Sequence, residues 1–293
     1  MEHTPTQSRK AITIFLLITF ALSSIFYFLI IYTGKISGGN GRYATGLMWC
    51  PGISAIITSV ILKRKVSLLG WQWGETRFQV WSYLIPLLYA LLAYLIIWLA
   101  GFGKFYNGEF VEKFSLAFGF DKLNDELAIV LYCILMGIYG LPASMASALG
   151  EEIGWRGFLV PELYKRMSYT KTSIITGVIW AIWHYPILIF ADYNTGTPAW
   201  YGLSCFTVMV ISISFVFTWF RIQSKSLWTA VLLHASHNLI IQAILTPLTK
   251  DTGNTKFFID EFGAVLPLVC VCLGVFFWIK RSALNIGDLK VQQ

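Results

Sequence analysis

The sequence predicts an all-α polytopic membrane protein, a bundle of about eight transmembrane helices with a cytoplasm-facing intramembrane cavity. Three observations predict it. Of 293 residues, 56% are hydrophobic and only 13% charged, whereas an ordinary soluble domain is charged at roughly a quarter of its positions. Mean hydropathy is +0.65. The apolar residues also fall in runs close to the roughly 20 that a helix needs to cross a hydrocarbon core about 30 Å thick. A closed barrel would instead alternate over strands of about ten residues, and no such alternation occurs.

The runs lie at 11–33, 44–62, 80–101, 127–149, 172–191, 200–220, 226–246 and 261–279. The first follows Arg9 and Lys10, but its apolar stretch exceeds that of a signal peptide and it lacks an Ala-x-Ala cleavage site, so it stands as a span. Pro51-Gly52 interrupts the second and Pro267 the last, and membrane helices tolerate both. Between the third and fourth spans, Phe110, Phe114 and Phe118 share one face of a short helix lying in the membrane interface and covering the bundle. Alternate connections carry fifteen Lys and Arg against seven in the others, which places both termini in the cytoplasm at a cell membrane. Lys63-Arg64-Lys65 and Lys280-Arg281 are topology determinants beside anionic headgroups. Such scattered charge does not form a nucleic-acid face. Cys50, Cys133, Cys205, Cys270 and Cys272 show no disulfide or zinc-knuckle spacing.

Ionisable groups at membrane depth are costly and mark function. His184, His234 and His237 lie within predicted spans, and the acidic pair Glu151-Glu152 stands at the cytoplasmic end of the fourth. Glu152 and Arg156, four apart, share a helix face and can pair. Glu151 points about 100° away, free to face the interior as a general base. A solvated helix end with an i,i+4 pair is the alternative. Trp180 and His184 lie one turn apart ahead of Pro186, and His234 and Asn238 share a stripe with His237 beside it. Packing histidines and interhelical hydrogen bonds are the competing explanations. Counted from the cytoplasmic ends of their spans at about 1.5 Å per residue, His234 lies about 12 Å and His184 about 18 Å deep. One cytoplasm-facing cavity would gather them with Glu151.

Glu151-Glu152-x-x-x-Arg156, Trp180-x-x-x-His184 and His234-x-x-x-Asn238, in this order, resemble the signature of the CPBP family of CAAX proteases and bacteriocin-processing enzymes. Trp180 stands where the family usually has Phe, and His237 is additional. The resemblance covers residues 127–246 as a catalytic core, between N-terminal helices 1–126 without a known motif and a last span with cytoplasmic tail, 247–293. It implies an intramembrane endopeptidase of the glutamate type. Glu151 and His184 would activate a water, His234 and Asn238, as two neutral donors, would hold the oxyanion, and Glu152 and Arg156 would support them. The substrate would be a membrane-associated protein or peptide cut near the cytoplasmic face. No cofactor is expected. The alternative is zinc on His184, His234, His237 and Glu151, since His-x-x-His on a helix can supply two ligands. A transporter or proton relay, or a non-catalytic immunity or scaffold protein of the same fold, are the competing functions. No inverted repeat marks a transporter.

Overall fold

The computed structural model describes residues 5–194 and 196–284, so residues 285–293 of the expected C-terminal tail lie outside it. Among the described residues, eight helices are long and apolar enough to cross a membrane. They are α1 (Pro5–Thr33), α2 (Arg42–Ile61), α3 (Thr76–Leu99), α5 (Asp125–Tyr164), α6 (Tyr169–Phe190), α7 (Ala199–Ser224), α8 (Trp228–Leu248) and α9 (Val265–Ile279). The short α4 (Gly108–Phe118) precedes α5. The chain is a multi-pass all-α membrane protein, as the apolar runs predict. The expected amphipathic helix is α4, whose Phe110 and Phe114 rings pack 5.5 and 4.6 Å from the Tyr132 ring of α5. A two-residue antiparallel pairing, β1 (Lys104–Phe105) with β2 (Thr249–Lys250), ties the connection before α4 to that after α8.

Contacts between connections define the two ends of the bundle. At the terminal end, where α1 begins and α9 finishes, Arg64 pairs with Glu162 at 3.0 Å, the Leu227 amide donates to the Gly70 carbonyl at 2.7 Å, and the Trp278 indole donates to Thr170 at 3.2 Å. At the distal end the Ile36 amide donates to Asp192 at 2.6 Å, and Tyr201 donates to the Phe257 carbonyl at 2.5 Å.

The fourth apolar run ends at 149, but α5 continues to Tyr164. Glu151, Glu152 and Arg156 therefore lie inside a helix, not at a solvated end, and all three are buried. Hydropathy falls there because of these charges, while the backbone stays helical because they find partners across the bundle. The helix is not uniform. π-helical turns at Met136–Gly140 and Ile153–Leu159 flank the α-helical stretch Leu141–Glu152, and α8 turns π-helical over Asn238–Leu245. Single π turns recur at functional sites in α-helices.

Glycines set the depth at which α5 crosses α2. A Cβ on Gly150 would lie 2.8 Å from the Met48 carbonyl oxygen, and one on Gly154 would lie 2.4 Å from Pro51 Cβ. Small residues let membrane helices approach backbone to backbone, and this crossing fixes the height of Glu151. Gly150→Ala and Gly154→Ala are each expected to cost about 1–3 kcal/mol through overpacking. Gly137→Ala, where an added Cβ meets nothing within 4 Å, should leave stability unchanged, as thermal unfolding in detergent would register.

Candidate active site

The site grows from consecutive residues of α5 that look in different directions. Glu152 Oε1 accepts from Arg156 Nη1 at 2.9 Å and from His234 Nδ1 at 2.9 Å. The Arg156 guanidinium lies between two rings, its Cζ 4.1 Å from the Trp180 centroid and 4.1 Å from that of Phe217. Its Nε and Nη2 lack hydrogen-bond partners, and the ring faces substitute for them electrostatically. Glu151 turns the other way, where Oε2 accepts from the indole N–H of Trp180 at 2.8 Å and of Trp155 at 3.3 Å. Its carboxylate is held by two donors, which corrects the expectation of a free one.

His184 is placed by its own helix. Its Nδ1 lies 3.0 Å from the Trp180 carbonyl oxygen; a carbonyl only accepts, so the proton sits on Nδ1 and Nε2 carries the lone pair. The Trp183 and Phe206 rings, 4.8 and 5.0 Å away between centroids, clamp the imidazole. The Glu152 carboxylate fixes the tautomer of His234 in the same way, because with Arg156 beside it Glu152 accepts a hydrogen bond from His234 Nδ1–H. Neutral His234 then presents an acceptor at Nε2. It donates there only as an imidazolium, which corrects the expectation of two neutral donors. The Asn238 side chain has no hydrogen-bond partner among the described residues and lines the same cavity.

That cavity, of about 280 Å³, is lined by Glu151, His184, His234, Asn238, His237 and Glu261 among others. Glu261 escaped the sequence reading. It lies in the connection before α9 and accepts from His237 Nε2 at 2.8 Å, Gln242 Nε2 at 3.0 Å and the Tyr193 hydroxyl at 3.1 Å. Tyr89 holds His237 Nδ1 at 2.5 Å, so both nitrogens of the additional histidine are engaged. Among the described residues no three His, Cys, Asp or Glu stand close enough to hold a metal ion, and the zinc set His184, His234, His237 and Glu151 is not assembled. The sequence signal for Glu261 was the adjacent acidic pair Asp260-Glu261 at the entry to the last span, matched to a histidine stripe with one member too many. Withdrawal from water and the Glu261 charge push the Asp260 carboxyl up to about 7. Burial opposes ionisation of Glu261 as well, yet the hydrogen bond and charge of His237, with Gln242, hold it below the ordinary carboxylate range.

The cavity extends from the level of Glu151 and His234 to Ile36, Ala44, Tyr193 and Glu261, all at the distal end. Arg156, between Trp180 and Phe217, floors it on the terminal side. The sequence placed termini and cavity on one face, whereas among the described residues the cavity lining reaches the end opposite to the start of α1 and the finish of α9. The depth count measured each histidine from its own span end and held no information on which end the connections leave open.

Residues 132–240 match the family model described as type II CAAX prenyl endopeptidase Rce1-like. The chain is also 27% identical over 251 residues to CAAX prenyl protease 2 of Methanococcus maripaludis, covering 82% of this chain and 86% of that protein. The matched segment contains all three motifs. Glu261 lies beyond it.

The Asp260 shift sets a pH dependence. Its folded value, about 7, exceeds the roughly 3.9 of an unfolded chain, so the folded protein binds the extra proton and loses stability as pH rises between these values. Asp260→Asn removes that loss. The melting temperature of the variant relative to wild type should therefore climb from pH 5 to pH 8.

Proposed function

We propose that this chain, which carries a domain of the Rce1-like CAAX prenyl endopeptidase family, is an intramembrane endopeptidase that uses Glu151 and His184 to activate a water. The observation that carries this reading is the convergence of Glu151, His184, His234 and Asn238 on one cavity. Glu151, oriented by two indole N–H groups, and the lone pair on His184 Nε2 supply acceptors for the two water protons. One proton passes to this pair as the water oxygen attacks the scissile carbonyl, and it later leaves on the departing amine. The negative oxygen that forms meets the Asn238 amide and the imidazolium Nε2–H of His234. Glu152 stabilises that imidazolium through Nδ1, and oxyanion donors of this kind act strongly in a site that excludes water.

The reading is metal-free. It rests on His237 being bound on both sides by Tyr89 and Glu261 and on a Glu-His pair that needs no Lewis acid. Stoichiometric zinc in the purified protein, lost together with activity on chelation, would overturn it.

The substrate is a membrane-associated protein or peptide, which apolar side chains such as Leu47, Met209 and Ile213 would accompany along the cavity wall. A prenylated CAAX peptide is the first probe, by likeness to the relative named as a CAAX prenyl protease. The scissile bond enters from the distal end of the bundle. With the buried Arg156 and Arg221 set aside, the described residues still carry twelve Lys and Arg at the terminal end against seven at the distal end, a bias that favours a cytoplasmic terminal end and delivery of the bond from the opposite face.

Glu151→Gln and His184→Ala should each lower the cleavage rate at least about 10²-fold, and Asn238→Ala about 10²- to 10³-fold, in protein that still folds and inserts. Wild-type cleavage by the first two would refute the assignment. In a cysteine-free background, Lys65→Cys should label from the cytoplasm of sealed vesicles and Thr252→Cys from the other side. The reverse pattern would return the scissile bond to the cytoplasmic face.

A further inference from the structure

The terminal end of the bundle holds a second cavity, of about 1680 Å³, separated from the first by Arg156. Its lining is strongly basic, and its acidic member is Glu162. That carboxylate is already shared by Arg64 at 3.0 Å and Lys165 at 2.7 Å. Lys65 and Arg166 on the rim are exposed, and no carboxylate among the described residues pairs with either.

Arg221 is the unusual member. It is 8% exposed, its Nε donates to the Arg156 carbonyl at 2.8 Å, and no carboxylate among the described residues pairs with it. A Cβ on Gly70 would lie 2.7 Å from its Nη2, so glycine makes the space in which the guanidinium sits against the chain. A charge withdrawn from water without a counter-charge is costly, and an anion entering the cavity would neutralise it. The planar fork of Arg suits phosphate oxygens, with lysine adding a point charge.

We propose that this cavity binds a phosphate-bearing anion, with Arg221 at its floor and Lys65 and Arg166 at its rim. The lip points to the source. Leu68 and Ile279, both lining residues, are 70% and 60% exposed, and Trp278 lies beside them, an aromatic of the kind that settles at the membrane interface. Such a lip accommodates the acyl chains of a lipid whose headgroup occupies the basic interior. Because Arg221 also holds the Arg156 carbonyl, occupancy braces the turn that carries the Glu152–Arg156 pair.

The test is thermal unfolding of the full chain in a non-ionic detergent. It is titrated at constant ionic strength with dihexanoyl phosphatidylglycerol, dihexanoyl phosphatidylcholine or inorganic phosphate. Phosphatidylglycerol should give a saturable rise in melting temperature, with half-saturation at least tenfold below that of phosphatidylcholine. Lys65→Ala with Arg166→Ala, both on exposed rim positions, should weaken half-saturation at least tenfold, and Arg221→Lys, which keeps the charge and loses the fork, should do the same. If inorganic phosphate alone produces the variant-sensitive rise, the site stands and its ligand is soluble. An equal response to phosphatidylcholine, or a response indifferent to these substitutions, would overturn the proposal.

Discussion

A carboxylate and a guanidinium with no exposure to solvent, Glu152 and Arg156, govern the architecture. In a medium that hydrates neither, the two charges balance each other at 2.9 Å, and removing one partner of such a pair commonly costs about 3–5 kcal/mol. The pair is satisfied from four helices. Glu152 and Arg156 come from α5, Trp180 from α6, Phe217 from α7 and His234 from α8. The order of the bundle around α5 follows from this requirement, and so does the close glycine crossing with α2 that sets the height of the pair. The geometry of the candidate site is a by-product of charge burial. Once Glu152 is committed to Arg156 and His234, the neighbouring Glu151 projects elsewhere, into the cavity.

Main-chain and indole groups then divide the protons. The Trp180 residue acts twice, its carbonyl fixing the tautomer of His184 and its indole holding Glu151. One residue thus orients both the imidazole, through its main chain, and the neighbouring carboxylate, through its side chain. This gives a physical reason for Trp at a position where Phe would supply the carbonyl and the ring but no donor to Glu151.

Much of this was legible in the sequence because lipid makes charge conspicuous. The eight apolar runs match the eight helices, and the rule that ionisable groups at depth mark function singled out Glu151, His184, His234 and His237, with Asn238 on the stripe of His234, all of which line one cavity. The failures have one source. Periodicity and hydropathy describe a helix in isolation, so the end of α5 was placed at 149, where charges begin, though partners on other helices keep it helical to Tyr164. Glu261 was passed over because it stands at the very edge of the last apolar run, 261–279, where a carboxylate is ordinary until a histidine from another helix reaches it. The distal position of the cavity belongs to the packing of connections, which leaves no period in the sequence.

The π-helical turns at Ile153–Leu159 and Asn238–Leu245 give the site a particular vulnerability. Each accommodates extra chain within the helical path, its bonds reaching five residues back instead of four. Loss of one residue there would remove the surplus and change the spacing of side chains inside the turn, Arg156 and Gln242 among them, relative to Glu152 and His237 before it. Spacing within these two segments therefore matters to the site as well as side-chain identity. A one-residue deletion would disassemble the site while leaving every functional side chain present in the sequence.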